Sequence, residues 1–282
     1  MVRGQERLTG CSASPRLDAE LLLCEVLCCG RSHLYAHPER PVGTEKAAAF
    51  ERLLERRAGG EPVALIRGQK EFWSLTLNVR PGVLIPRPET ELLVELALAL
   101  APDDGALTVA DLGTGSGAIA LALATERPAW RVIATDTSPV ALALAGINQA
   151  RLGVSNMELL RGTWLAALAR ARLDLIVANP PYIAPEDPHL SAPELTHEPR
   201  HALVSARRGQ ADIEAIAAQA GPCLKPGGYL ILEHGRDQGP AVRRALDRGG
   251  FTEINTLRDL AGLARASVGR RPGARRYRYA ER

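Results

Sequence analysis

Two hydrophobic periods divide the chain. Between Leu17 and Cys29 apolar side chains recur at helical spacing, at Leu17, Leu21, Leu22 and Val26, with Asp18 and Glu20 near the positive end of the helix. Gly30, Arg31 and Ser32 interrupt this pattern, Pro38 and Pro41 follow, and a second helical pattern from about Thr44 to Ala58 stops at Gly59 and Gly60. These residues predict a compact bundle of short helices. From Glu71 to Pro86 the period falls to two: Trp73, Leu75, Leu77 and Val79 alternate with polar residues, and Pro81-Gly82 offers a turn before Val83, Leu84 and Ile85. That pattern predicts a β-hairpin over 71–86, linking a domain of residues 1–70 to one of residues 87–282.

Beyond a leucine-rich helix behind Arg87-Pro88-Glu89-Thr90-Glu91, the chain alternates strand and helix, which predicts a parallel sheet with helices on both faces. The strands fall at Thr108 to Asp111, Val132 to Thr135, Met157 to Leu160, Leu173 to Ala178, the stretch up to Glu233 after the Lys225-Pro226-Gly227-Gly228 turn, Phe251 to Leu257 and Ala264 to Gly269. Seven strands make the class α/β.

Leu173 to Tyr182 is the stretch around which the rest is organised. A continuous apolar run of this length suits a strand covered on both faces, and Pro180 and Pro181 end its ladder because neither carries an N–H. Asn179 therefore sits at the carboxyl end of a parallel strand, where open α/β sheets bind their ligands. An Asn carboxamide oxygen and a Pro carbonyl are both acceptors and together can grip the two hydrogens of an –NH2 group. Such a grip stabilises the pyramidal nitrogen reached during attack. Tyr182 would supply a flat face for a planar group.

Gly113, Thr114, Gly115, Ser116 and Gly117 form a glycine-rich turn after the first of these strands, and Asp111 precedes it. Glycines let the backbone turn sharply and let a ligand approach without a Cβ in the way. Asp136, at the tip of the next strand, suits the hydroxyls of an adenosine ribose. The spacing Gly113-x-Gly115-x-x-Ala118 also satisfies a dinucleotide fingerprint, so a dehydrogenase is the alternative for this segment taken alone. Trp164, after the third strand, could lie against an adenine or simply fill the core.

Composition narrows the field. The chain has 282 residues, 46% of them hydrophobic and 24% charged, which is ordinary for a soluble globular protein. Thirty-five basic and 32 acidic residues give a net charge of +3, too balanced for a dedicated nucleic-acid binder. No apolar run spans a bilayer and no signal pattern opens the chain, so the expected location is the cytoplasm. Of five cysteines, Cys24, Cys28 and Cys29 fall in a helical pattern without a Cys-x-x-Cys pair, and are expected to be reduced, buried thiols. His197-Glu198-Pro199-Arg200-His201 matches a zinc-protease pattern, but Pro199 opposes the helix that would align the two histidines. A flexible loop flanking the site is the expectation there, with no metal. The Arg-rich tail after Arg270 reads as a solvated end.

The tetrapeptide Asn179-Pro180-Pro181-Tyr182 resembles that of amino-methyltransferases using S-adenosylmethionine. Taken with Gly60-Glu61-Pro62-Val63, Glu71-Phe72-Trp73-Ser74-Leu75, Leu84 through Glu91, Asp111 through Ala118 and Leu232-Glu233-His234-Gly235, the chain from Leu17 to Gly269 is similar to the peptide chain release factor N5-glutamine methyltransferases. This resemblance implies a Rossmann-like class I methyltransferase fold, a seven-stranded mostly parallel sheet preceded by a small α-helical domain and a β-hairpin linker. It implies methyl transfer to the side-chain amide of the Gln in the Gly-Gly-Gln loop of a release factor, in support of translation termination. Carried over by position, Asp111, Gly113 to Gly117, Asp136, Trp164 and Asn179 would contact S-adenosylmethionine. Asn179, Pro180 and Tyr182 would be catalytic, and these with Pro181, Arg87 and Glu89 would meet the release factor. Nucleic acid and membranes are not expected as partners. Thr163 departs from the resemblance, standing where many members carry an acid. An enzyme acting on a nucleic-acid amine, and a cofactor-binding module without turnover, are the two other readings.

Overall fold

The structure, a computed structural model, describes residues 2–101, 105–168 and 172–273. Helices Val2–Leu8, Pro15–Leu27, Arg31–Ala36, Thr44–Ala58 and Val63–Arg67 form the front of the molecule. The helical spacing has its counterpart in one small core, where Leu8, Ala19, Leu22, Leu23, Phe50, Leu54 and Ile66 are buried together. Glu20 lies inside the bundle and accepts hydrogen bonds from Arg16, Arg31 and Tyr35 at 2.9, 2.6 and 2.7 Å. Burial alone would raise this carboxyl, but the bonds from Tyr35, Arg31 and Arg16 together carry it down to about 2. The buried-thiol expectation holds for Cys24 and not for its neighbours. Cys28 caps its helix in the left-handed region at φ 53° and is exposed, and Cys29 is half-buried.

The hairpin is earlier and tighter than its sequence pattern suggests. Strands β1 (Gln69–Phe72) and β2 (Leu75–Asn78) pair antiparallel with Phe72 opposite Leu75, so the turn is Trp73-Ser74 and residues 79–86 contain no strand. Both turn residues have positive φ, 50° and 58°, as a two-residue hairpin turn demands, without the usual Gly or Asn. Distant acids hold this geometry: the Trp73 backbone N–H donates to Glu91 at 2.9 Å and its indole N–H to Glu126 at 2.7 Å.

The main sheet has seven strands: β3 (Thr108–Leu112), β4 (Arg131–Asp136), β5 (Met157–Arg161), β6 (Leu173–Ala178), β7 (Leu224–Glu233), β8 (Thr252–Arg258) and β9 (Ala264–Arg270). Their order is β5-β4-β3-β6-β7-β9-β8, parallel except that β9 runs antiparallel to both of its neighbours. Alternate residues of each central strand enter opposite cores. Val109, Val132, Leu175, Val177 and Ile231 pack with helices Glu91–Leu100 and Ala118–Glu126, while Ala110, Leu112, Ile133, Ile176 and Leu232 pack with helices Ala211–Cys223 and Gly239–Arg248. That double coverage is why Leu175 to Ala178 reads as an unbroken apolar run.

The helical front is fastened to the segment following β6. Arg57, buried, donates to Asp18 at 2.7 Å and also pairs with Glu194. Beside it, Gly60 adopts φ 94°, and a Cβ there would stand 2.8 Å from the Pro193 side chain.

Candidate active site

Strand register brings the sequence-predicted residues to one edge. Leu112 lies opposite Ala178 on one side and Thr135 on the other, so Gly113, Asn179 and Asp136 leave three adjacent strands side by side. Chain order reverses at the β3/β6 pair, the topological switch point at which open parallel sheets bind ligands. A cavity of about 280 Å³ opens there, its wall formed by Gly113 to Ser116, Asp136, Trp164, Asn179, Pro181 and Arg87. Thr163 is also on this wall, beside Trp164.

The glycine turn is shaped by what surrounds it. The N–H groups of Gly113 and Thr114 both donate to the Thr135 carbonyl, at 2.8 and 2.9 Å, folding the loop back over β4. Gly113 has φ 73°, and a Cβ added there would stand 3.3 Å from the Trp164 ring, so the indole lies directly against the loop backbone. Asp136 accepts from Gly115 N–H at 2.9 Å through one oxygen and from Ser138 N–H at 2.8 Å through the other. Each oxygen keeps a further lone pair for a donor in the cavity.

Asp111 does not reach the cavity wall. It is 1% exposed and accepts from the Thr114 hydroxyl at 2.6 Å and from Ala120 N–H at 3.2 Å, both through Oδ2. Its Oδ1 has no partner among the described residues. Burial pushes this carboxyl up to about 7, against the pull of the Thr114 and Ala120 bonds. Gly117 is likewise behind the wall, packed against Leu121 and Ala145.

At the Asn-Pro-Pro-Tyr corner, Asn179 and Pro181 face the cavity, Pro180 is buried and Tyr182 turns away. The Tyr182 hydroxyl donates to Glu233 at 3.2 Å, and its backbone carbonyl accepts from Gln238 at 2.9 Å. Desolvation and the neighbouring Glu233 push the Tyr182 phenol above its usual range. Glu233 is 1% exposed at the end of β7 and is pushed up to about 7, chiefly by burial. Its other oxygen accepts from the Thr90 hydroxyl at 2.7 Å, and Thr90 in turn accepts from the Asn179 amide at 3.1 Å. Gly209 touches the same corner: a Cβ on it would fall 2.0 Å from the Tyr182 carbonyl oxygen.

Of the two residues expected to meet a partner at the domain junction, Arg87 lines the cavity and pairs with Glu198. Glu89 is exposed and outside the wall. The expected flexible loop at His197 to His201 is instead pinned, because Glu198 is buried and also accepts from Ile85 N–H at 3.0 Å. His197 ends a 3-10 turn, His201 belongs to the next short helix, and Glu198 and Pro199 between them are extended. Among the described residues no group of His, Cys, Asp or Glu has the arrangement of a metal site. Sequence reading missed Thr90, Glu198, Glu233, Gln238 and Asn148 as functional positions. Asn148, fully buried, donates to the carbonyls of Asn78 and Ser116 at 3.0 and 2.9 Å and so joins the hairpin to the glycine turn.

The edge thus combines a tight glycine turn, an acid beside it, an aromatic wall and a carboxamide held from behind. Such a set can hold an adenosine and present acceptors to an amine. Comparison with known proteins gives the same direction. Residues 1–68 match the PrmC N-terminal domain and residues 89–206 the methyltransferase small domain. The chain is 48% identical to the release factor glutamine methyltransferase of Coxiella burnetii, over 94% of this chain and 95% of that one. It is 52% identical to the enzyme of the same name from Pseudomonas aeruginosa, over 92% and 93%. Among solved structures, a ribosomal protein L11 methylase from Lactobacillus delbrueckii subsp. bulgaricus is similar with a TM-score of 0.50 and 26% identity, over 69% of this chain and 84% of that one.

Proposed function

Since this chain belongs to the release factor glutamine methyltransferases, a family that methylates a release-factor glutamine with S-adenosylmethionine, we propose which of its residues carry that reaction and which atom receives the methyl group. The acceptor is the side-chain amide nitrogen of the Gln in the Gly-Gly-Gln loop. The observation that carries this reading is the register that sets Asn179 beside Gly113 and Asp136 at the switch point of the sheet.

The residues present fit the cofactor. Gly113 to Ser116 give a backbone surface without side chains in the way, Trp164 stands against it, and Asp136 retains lone pairs for a ribose diol. Asp111 contributes from behind, by fixing Thr114 and the first turn of the following helix. When bound, S-adenosylmethionine supplies an electrophilic sulfonium methyl. The part left to the protein is positioning and the support of a nitrogen that must become nucleophilic. An amide nitrogen is planar because its lone pair is delocalised. Asn179 Oδ1 and the Pro180 carbonyl, accepting its two N–H bonds, favour the pyramidal form in which that pair is free. Pro181 bounds the acceptor side of the cavity, and Tyr182 anchors the corner through Glu233.

In this reading residues 1–70 form the domain that recognises the body of the release factor, residues 71–86 the linker, and residues 87–282 the methyltransferase domain. Arg87, paired with Glu198 at the cavity rim, and the exposed Glu89 lie where the factor would enter. The balanced charge supports a protein partner rather than a nucleic acid. Among the described residues no helix is long and apolar enough to cross a membrane.

The test is methyl transfer from labelled S-adenosylmethionine to an intact release factor, beside a variant with Ala for Gln in its Gly-Gly-Gln loop. Label on the unaltered factor alone supports the acceptor. Label on ribosomal RNA or duplex DNA, with neither factor labelled, would transfer the site to a nucleic-acid amine.

A further inference from the structure

A carboxamide can be turned by 180° at little steric cost, and only one of the two orientations serves an amine acceptor. With Oδ1 toward the cavity Asn179 accepts; with Nδ2 there it would oppose two N–H donors to two others. What decides between them is a chain of hydrogen bonds that runs from the carboxamide through the cavity wall into the fold. Asn179 Nδ2 donates to Thr90 Oγ1 at 3.1 Å, and Thr90 Oγ1 donates to Glu233 Oε2 at 2.7 Å. A threonine hydroxyl has a single proton, and an ionised carboxylate has none to give. Once ionised, Glu233 therefore takes the proton of Thr90, leaving Thr90 with lone pairs only, so its next neighbour must offer an N–H. Thr90 is 4% and Glu233 1% exposed, which keeps bulk water from substituting in this chain. The Tyr182 hydroxyl donates to the remaining oxygen of Glu233, holding the carboxylate from the other side.

We propose that Thr90 and Glu233 are positioning residues that set the polarity of the Asn179 carboxamide, with Oδ1 facing the acceptor. The inference rests on the assignment of Asn179 to the acceptor amide. Thr90 borders the cavity and Glu233 stands behind it, and neither is assigned a contact with the reacting atoms. Their effect passes through the direction of two hydrogen bonds.

The experiment compares Thr90→Val, Thr90→Ser, Glu233→Leu and Asn179→Ala in steady-state methylation of an intact release factor at pH 8.5, where Glu233 is ionised, with S-adenosylmethionine affinity measured separately. Thr90→Val keeps the shape and removes the relay, and Glu233→Leu removes the acceptor that directs it. Both are expected to lower kcat about 30-fold or more, with the KM for the factor and the cofactor Kd changed less than about threefold. Thr90→Ser, which retains the hydroxyl, is expected to keep kcat within about threefold of the wild type. A wild-type kcat in Thr90→Val, or in Glu233→Leu should Thr90→Val not fold, overturns the proposal. So does a Thr90→Ser enzyme as slow as Thr90→Val, since the methyl group would then be what matters. If Asn179→Ala itself turns over normally, the acceptor assignment fails and this inference with it. If Asn179→Ala is inactive while Thr90→Val is not, only the positioning role is lost.

Discussion

Asn148 and Asn78 exchange two hydrogen bonds across the gap between hairpin and catalytic domain. The backbone N–H of Asn78 donates to Asn148 Oδ1 at 2.7 Å, and Asn148 Nδ2 returns a bond to the Asn78 carbonyl at 3.0 Å. The same Nδ2 reaches the Ser116 carbonyl in the glycine turn. Asn148→Leu would strand three backbone groups, the Ser116 carbonyl buried and the two of Asn78 half-buried, and is expected to destabilise the protein by about 2–4 kcal/mol. The check is urea unfolding, together with calorimetric titration of S-adenosylmethionine, whose affinity should fall because Ser116 loses its anchor.

Arg57 presents the opposite case, a buried cation between two acids. Arg57→Met leaves the buried Asp18 without its counter-charge, held only by the Ser12 and Ser14 hydroxyls, for an expected loss of about 3 kcal/mol. Glu194→Gln alters only the half-exposed end of the network and should cost under about 1 kcal/mol. Thermal unfolding of the two variants separates these values; equal losses would mean that Glu194, and not Asp18, is the partner that matters.

Gly209→Ala meets two penalties together. Its φ is 79°, a region L side chains avoid, and the new Cβ would overlap the Tyr182 carbonyl oxygen. The Gln238 contact to that same carbonyl must break for the chain to move aside. The expected result is a methyl-transfer rate lowered about tenfold or more through displacement of the corner, with cofactor affinity nearly unchanged because the glycine turn is on a different strand.

Two carboxyls give opposite pH signatures. Glu20 is held at about 2 in the folded protein against an ordinary value of 4.5, so its contribution to stability is complete above pH 4.5 and disappears as pH falls through 2. Glu233 is raised to about 7, so its contribution is complete below pH 4.5 and is lost as pH rises through 7. In urea titrations, the deficit of Glu20→Gln relative to wild type should therefore shrink between pH 4.5 and 2. For Glu233→Gln the comparison should shift in the variant's favour between pH 4.5 and 7.

What could be read from the chain alone follows from the range of the interactions involved. The corner at Asn179 was legible because its cause is local: a buried strand stopped by two prolines. The glycine turn and Asp136 were legible for the same reason, as were the seven strands. The hairpin was displaced because its turn lacks Gly and is held by Glu91 and Glu126, which no local rule connects to Trp73. Thr90 and Glu233 are 143 residues apart, and a threonine at a helix start gives no sign of the carboxylate it will meet. Glu198 was hidden by the motif containing it, since a histidine pattern drew attention from the acid that braces Ile85 and Arg87. The Arg-rich tail lies largely outside the described residues.

The fit of Pro193 against Gly60, with the Arg57 pair beside it, bears on how such a chain can be recombined. A chimera taking its helical front from one relative and its catalytic half from another would join two surfaces that had changed separately, one of them tolerating no Cβ. Exchange should succeed only when residues 57–60 travel with residues 193–194, so what can be transplanted is a pair of segments far apart in the chain rather than a contiguous front domain.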